Sequence, residues 1–92
     1  MIIKLKFTAQ IKDVIGSNTD TITIEDGTKL KDLLKTLVDK YGNDFKSILF
    51  DESGLYRHSN LIVVNQTQEN YEDNLALVDG MEITLMSPIS GG

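Results

Sequence analysis

The residues best suited to chemistry stand at the end of the chain, which closes on Gly91-Gly92. Glycine has no Cβ, so such an end can enter a narrow slot and leaves its terminal carbonyl open to attack from either side. The Gly92 carboxylate has a reference pKa of about 3.5 and is an anion at neutral pH, suited to attacking an activated phosphate. Two consecutive terminal glycines arise by chance in about 0.5% of chains. The pattern therefore favours Gly91 and Gly92 as the chemically active residues.

The body of the chain offers weaker candidates. Three acids, Asp44, Asp51 and Glu52, stand near the one histidine, His58, but their spacing matches neither a calcium loop nor a zinc site. The sequence gives no acid to orient His58 beside Ser59, so a serine hydrolase has little support. The chain has no cysteine, which excludes a thiolate nucleophile. We expect no bound cofactor, no metal and no active site within the body.

Length and composition restrict the classes of function. The 92 residues correspond to one domain, and 40% hydrophobic with 25% charged residues is ordinary for a globular chain. The net charge of −5, with no local cluster of lysine or arginine, argues against nucleic acid as a partner. No apolar stretch has the length of a membrane span or a signal peptide. We expect no membrane contact and a cytoplasmic location.

The first third of the chain predicts two paired strands. Ile3, Leu5 and Phe7 alternate with polar residues, which is the period of a half-buried strand. Residues 20–25 are rich in β-branched side chains and alternate as well, so we expect them to pair antiparallel with the first strand. Residues 9–15 between them are expected to form a helical turn.

A single amphipathic helix follows. Its apolar residues recur at helical spacing, and they are Leu30, Leu33, Leu34, Leu37, Val38 and Tyr41. Thr28 is placed to cap the first turn, and Gly42 suits the position just beyond the last turn. Such a leucine stripe predicts packing against the sheet.

The last part of the chain predicts two more strands. Residues 61–64 are all apolar and form a buried strand, with Leu61 and Val63 expected in the core. Asp79-Gly80 turns into a final strand, in which alternation directs Leu85 to the core and Met86 to the open face. Pro88 has no N–H for a sheet ladder and ends the strand. We predict a domain over residues 1–86 and a flexible tail over residues 87–92.

The order strand, strand, helix, strand, strand predicts an α+β fold in which one face of a mixed sheet packs on the main helix, which is the ubiquitin-like β-grasp arrangement. The residues expected in its core are Ile3, Leu5, Phe7, Ile22, Ile24, Leu30, Leu33, Leu34, Leu37, Val38, Leu61, Val63, Ile83 and Leu85.

Three short motifs make this chain similar to the MoaD/ThiS sulfur-carrier family over its whole length. They are Val63-Val64-Asn65, Asp79-Gly80 and Pro88-Ile89-Ser90-Gly91-Gly92. Residues 43–60 form an insertion that resembles MoaD more than the shorter ThiS. The sequence departs from the MoaD pattern, which commonly has two phenylalanines and two prolines where this chain has Leu85, Met86, Ser87 and Pro88.

The resemblance implies a sulfur carrier, the small subunit of molybdopterin synthase, that acts in molybdenum cofactor biosynthesis. A MoeB/ThiF-like activating enzyme, which uses ATP and Mg, would adenylate Gly92, and Gly92 would become a thiocarboxylate. Gly91 would keep the terminus thin. A MoaE-like large subunit would then receive the tail. On this reading the chain is a sulfur-donor subunit without turnover of its own, and its partner contacts are Met86, Ser87, Pro88, Ile89 and Ser90.

Two other functions use the same activated terminus. The chain could be a ubiquitin-like modifier joined through Gly92 to lysines of target proteins, or a ThiS-like carrier for thiamine synthesis or tRNA thiolation. The third alternative, a β-grasp binding module with an inert tail, is weakened by the paired terminal glycines.

Overall fold

The computed structural model describes residues 1–88, which form a mixed sheet with helices on one face. Its elements are β1 (Ile2–Thr8), α1 (Ala9–Ile15), β2 (Thr19–Thr23), α2 (Leu30–Tyr41), α3 (Asn43–Leu49), β3 (Leu61–Val64), β4 (Thr67–Glu69), a 3₁₀ turn (Tyr71–Asp73) and β5 (Glu82–Met86). The four residues that close the chain, 89–92, lie outside the described part, and most of the predicted tail lies there with them.

The five strands follow the order β2-β1-β5-β3-β4. β1 pairs antiparallel with β2 and parallel with β5, and β5 pairs antiparallel with β3. The predicted pairing of the first two strands and the β-grasp fold are confirmed. The last strand along the chain is thus the middle strand of the sheet.

The core lies between the sheet and α2. The four leucines of α2 that face the sheet are completely buried, as the helical period predicts. The buried hydrophobic residues are Ile3, Leu5, Phe7, Ile11, Leu30, Leu33, Leu34, Leu37, Phe45, Leu49, Tyr56, Ile62, Val64, Leu77, Ile83 and Leu85. Ile22, Ile24 and Val38 were expected in the core but are only partly buried. Ile22 belongs to an edge strand, which has a neighbour on one side only.

The predicted orientation of β3 is wrong by one residue. Ile62 and Val64 face the core, whereas Leu61 is 39% exposed and Val63 is half-buried. All four side chains of β3 are apolar, so the sequence contains no alternation from which the inward face can be read. Because the side-chain period of a strand is two, an error of one residue exchanges the two faces.

The N-terminus of α2 is capped by a distant residue. Thr28 does not cap the helix as predicted, because Lys29 occupies the cap position and the Thr28 hydroxyl donates to the carbonyl of Glu25. The free N–H of Lys31 instead donates to Oδ1 of Asn74 at 2.9 Å. Asn74 has a φ of +47°, a conformation that asparagine adopts more readily than most residues.

The helix α3 follows α2 with one residue between them. Gly42 has a φ of +92°, which favours glycine, and it ends α2 and precedes the first residue of α3. Phe45 and Leu49 of α3 are completely buried, so the insertion over residues 43–60 contributes to the core. None of the helices in residues 1–88 is long and apolar enough to cross a membrane.

Candidate functional site

β5 brings the chain to the candidate site, and its end is fixed from both sides. Leu85 lies opposite Phe7 of β1 and Ile62 of β3, and Leu85 is completely buried. Met86, the last residue of the strand, lies opposite Thr8 and Leu61. The terminal segment therefore starts from the middle of the sheet.

Two apolar side chains lie together on the open face beside this point. Met86 is 38% exposed, which confirms that it lies on the solvent side of β5. Leu61, its cross-strand partner, is 39% exposed. The sequence interpretation missed Leu61, because it placed that residue in the core. Together Met86 and Leu61 form an apolar contact area, called the exit patch below.

The open face carries charged side chains on β1 and at the start of β5. Lys6 and Glu82 form an ion pair at 3.3 Å, and both side chains are well exposed. Such a pair adds little stability in solvent, but it gives the face a charged region beside the exit patch. The arrangement suits a partner that places an apolar group on Met86 and Leu61 and polar groups on the rest of the sheet.

Ser87 is bound to the body of the domain, although the sequence assigned it to the tail. Its side chain is buried, with an exposed fraction of 7%. The hydroxyl donates to the carbonyl of Thr8 at 3.0 Å and accepts from the N–H of Ile11 at 3.1 Å. No local signal reveals these bonds, because the partners are more than 70 positions away in the chain. A contact between Ser87 and a partner protein stays a prediction.

Pro88 is exposed and lies at a groove of about 480 Å³. The residues that line the groove with it are Gln10, Val14, Asp44, Ser47, Ile48, Arg57, Ser59 and Asn60. They come from α1, α3 and the loop before β3, so the predicted insertion over residues 43–60 supplies most of the groove.

Asn60 holds that loop in place. Its side chain Nδ2 donates to the carbonyls of Ile48 and Arg57, at 2.8 and 3.0 Å. The hydroxyl of Tyr56 donates to the backbone carbonyl of Asn60 at 2.9 Å. Burial, reinforced by the nearby Glu72 carboxylate, raises the pKa of Tyr56, so its hydroxyl remains a donor in alkaline solution as well as at neutral pH.

The described part of the site has no chemical group of its own for covalent work. Met86, Ser87 and Pro88 carry no titratable side chain, and residues 1–88 contain no cluster of three or more metal-ligand side chains placed to hold an ion. His58 does have an acidic partner, contrary to the sequence interpretation: its Nε2 lies 2.7 Å from Oε1 of Glu72. Both side chains are exposed, and within the described chain no hydroxyl is hydrogen-bonded to His58, so the pair does not form a catalytic triad.

The other predicted site residues, Ile89, Ser90, Gly91 and Gly92, fall outside the described part of the chain. The segment that contains them follows the buried Ser87 and the exposed Pro88, close to the exit patch.

Comparison with known proteins finds a matching family model, a similar curated protein and solved structures with the same fold. The model of the ThiS family matches residues 5–92. A molybdopterin synthase sulfur carrier subunit from Chlamydomonas reinhardtii is 28% identical over 95 residues, with 100% of each chain covered. Among solved structures, SAMP1 from Haloferax volcanii superposes with a TM-score of 0.87 at 24% identity, with 100% of each chain covered. A chain of the complex of subunits 1 and 2 of molybdopterin-converting factor from Helicobacter pylori superposes with a TM-score of 0.63 at 23% identity, again with 100% of each chain covered.

Proposed function

The chain belongs to the ThiS family, and from this we propose that it is the sulfur carrier subunit of a molybdopterin synthase. It carries sulfur as a thiocarboxylate on Gly92. The observation that carries the proposal is the extent of the family match, which runs through the paired glycines to residue 92. The relative from Chlamydomonas reinhardtii, which covers the chain from end to end, supports the choice of molybdopterin synthase.

The chemistry proceeds in two steps on the terminal carboxyl. An oxygen of the Gly92 carboxylate attacks the α-phosphorus of ATP and expels pyrophosphate, which leaves an acyl adenylate. Hydrosulfide delivered by a partner then attacks the carbonyl carbon and expels AMP, and loss of the sulfur-bound proton leaves the thiocarboxylate. ATP is needed because a bare carboxylate is a poor acyl donor, whereas AMP is a good leaving group. Gly91 leaves space around the carbonyl in both steps, because it has no Cβ.

Two partner proteins are required. A MoeB/ThiF-like activating enzyme supplies the ATP and Mg site, and a MoaE-like large subunit accepts the sulfur to build the dithiolene of molybdopterin. The solved complex of the two subunits of molybdopterin-converting factor supports the second partner. In this chain the exit patch of Met86 and Leu61 provides the apolar contact next to the reactive segment.

The test is ATP–pyrophosphate exchange with the activating enzyme. We expect the wild-type chain to support exchange and a chain lacking Gly92 to support none, since the attacking carboxylate is then displaced by one residue. Gly91→Ala should slow exchange, because a Cβ narrows the approach to the carbonyl. Circular dichroism of the three chains should be the same, because the changes lie beyond residue 88. Normal exchange by the chain that lacks Gly92 would reject this terminus as the reactive site.

Adding the large subunit and its substrate to the thiocarboxylated carrier distinguishes molybdopterin synthesis from the two alternative functions. Formation of molybdopterin supports the proposal. Conjugation of the activated chain to lysines would instead support the protein modifier. Transfer of its sulfur only to enzymes of thiamine synthesis or tRNA thiolation would support the ThiS-like carrier.

A further inference from the structure

The junction between β1 and α1 has a strained backbone and a helix start that lacks a hydrogen-bond acceptor from its own N-cap side chain. Ala9, the first residue of α1, has a φ of +51°, which is strained for a residue with a Cβ. Thr8 occupies the N-cap position but makes no side-chain hydrogen bond to the helix. The first N–H groups of a helix have no partners within it, so this helix start needs an acceptor from elsewhere.

Ser87 supplies that acceptor from the end of β5. Its hydroxyl accepts from the N–H of Ile11 and donates to the carbonyl of Thr8, and so links Thr8 to Ile11 across the strained Ala9. A hydroxyl normally caps the helix that directly follows it in the chain. Here the cap comes from the strand that leads to the reactive terminus, which links the start of α1 to the start of the terminal segment.

This bridge is also the last attachment that the described chain shows before the terminus. The ladder pairing of β5 ends at Met86, Ser87 is buried, and Pro88 is exposed. We propose that Ser87 is a positioning residue: its hydroxyl fixes the point from which Gly92 reaches into a partner enzyme. This inference rests on the proposed function, in which Gly92 is the reacting residue.

The reach follows from chain geometry. Gly92 is the fifth residue after Ser87, and a fully extended chain spans at most about 3.6 Å per residue, so the reach is at most about 18 Å. If the hydroxyl bridge is lost, the nearest fixed residue is Met86 or Leu85, and one or two more residues must be ordered each time Gly92 enters an active site. Ordering one backbone residue reduces the fraction of correctly placed termini by about tenfold.

This mechanism predicts a specific kinetic effect of Ser87→Ala. The variant retains the exit patch, so it should dock on the activating enzyme with a KM for the carrier within about twofold of wild type, while kcat for ATP–pyrophosphate exchange falls by about tenfold. Simple destabilisation would act differently. It would lower the amount of folded carrier and raise the apparent KM, and saturation would restore kcat. Ser87→Thr keeps the hydroxyl and should recover most of kcat, whereas Ser53→Ala, a control in an exposed turn, should change neither constant.

Hydrogen exchange tests the bridge without any enzyme. The Ile11 amide should be protected in wild type and should exchange at least about tenfold faster in Ser87→Ala, because its acceptor is gone. Equal protection of Ile11 in both chains, or an unchanged kcat in Ser87→Ala, would overturn the inference. If the threonine variant fails to fold, the alanine variant and the hydrogen-exchange comparison decide the question. A wild-type chain that supports no exchange of pyrophosphate would reject the proposed function, and protection of Ile11 would still report whether the bridge exists.

Discussion

The exposed apolar surface of Met86 and Leu61 does not stabilise the fold, because it is not removed from water. Each places a large apolar side chain in solvent on the open face of the sheet, and each is the other's cross-strand neighbour. Single exposed apolar residues are common, but this pair stands directly beside the start of the terminal segment. The position favours a role in docking.

We predict that Met86→Ala weakens binding of the large subunit without affecting the fold. Full burial of an exposed methionine contributes roughly 1.5–3 kcal/mol, and because Met86 is 38% exposed before docking, about 0.6–1.1 kcal/mol of this is available and the Kd should rise by about threefold to sixfold. Calorimetric titration measures the effect, and Leu61→Ala should behave in the same way. Ile2→Ala is a matched control, since Ile2 is 49% exposed and lies at the far end of β1. An unchanged Kd for both exit-patch variants would contradict the assignment.

Residue roles were predictable only where a repeating pattern was present. The alternation along β5 placed Met86 on the open face, and Ile83 and Leu85 in the core. Leu61 was misplaced because β3 has no polar residue to mark its outer face. The bonds of Ser87 depend on an element far away in the sequence, so nothing near Ser87 could indicate them.

Among the elements, α2 and β2 are joined by one carboxylate. Asp20 of β2 accepts a hydrogen bond from Nζ of Lys40 at 2.6 Å and another from the hydroxyl of Tyr41. These bonds, with that of Lys40 the larger contribution, lower the pKa of Asp20 from 3.8 to about 2. Burial, together with the Asp20 carboxylate, raises the pKa of Tyr41. The network attaches the edge strand to the end of the main helix.

This network predicts a pH dependence of stability. Because the pKa of Asp20 is lower in the folded chain, the ionised carboxylate contributes to the free energy of unfolding. This contribution is complete above pH 3.8 and is lost as the pH falls towards 2. Solvent screens the half-exposed Lys40, so we expect about 1 kcal/mol. Urea unfolding should show Asp20→Asn less stable than wild type at neutral pH, and the difference should close between pH 4 and pH 2.

Asp39→Asn is the control for the change in charge, because Asp39 is exposed on the same helix. Its difference from wild type should be small and nearly constant over this range. A constant gap between wild type and Asp20→Asn down to pH 2 would contradict the assigned role of the network.

The elements with many periods were predicted correctly, as were the helical turn over residues 9–15 and the strand over residues 61–64, whereas α3 and β4 were missed. α2, β1 and β5 follow from repeated spacing over several turns or pleats. The three residues of β4 and the seven of α3 are too few to show a period, and both depend on neighbours for stability. The cap of α2 by Asn74 was missed for the same reason as the bonds of Ser87.

At the scale of the whole molecule, structure and chemistry are divided between two parts of the chain. The domain provides a rigid middle strand, an apolar exit patch and a buried serine at the start of the terminal segment. The proposed reaction takes place on Gly92, and the activating enzyme supplies the ATP. Such a division explains why no catalytic cluster among residues 1–88 is needed for the proposed function.

The most direct test of the thiocarboxylate uses a feature of the composition. The chain has no cysteine. A thiol-directed alkylating reagent therefore has a single expected target in the thiocarboxylated carrier, the sulfur on Gly92. The chain should be isolated from its native cells, alkylated at lysis, and analysed by intact-mass and fragment mass spectrometry. We predict one alkyl group per thiocarboxylated chain, located on the terminal glycine. An oxygen-only terminus in every chain, or isolation of Gly92 only as an amide with lysines of other proteins, would contradict sulfur transfer through Gly92.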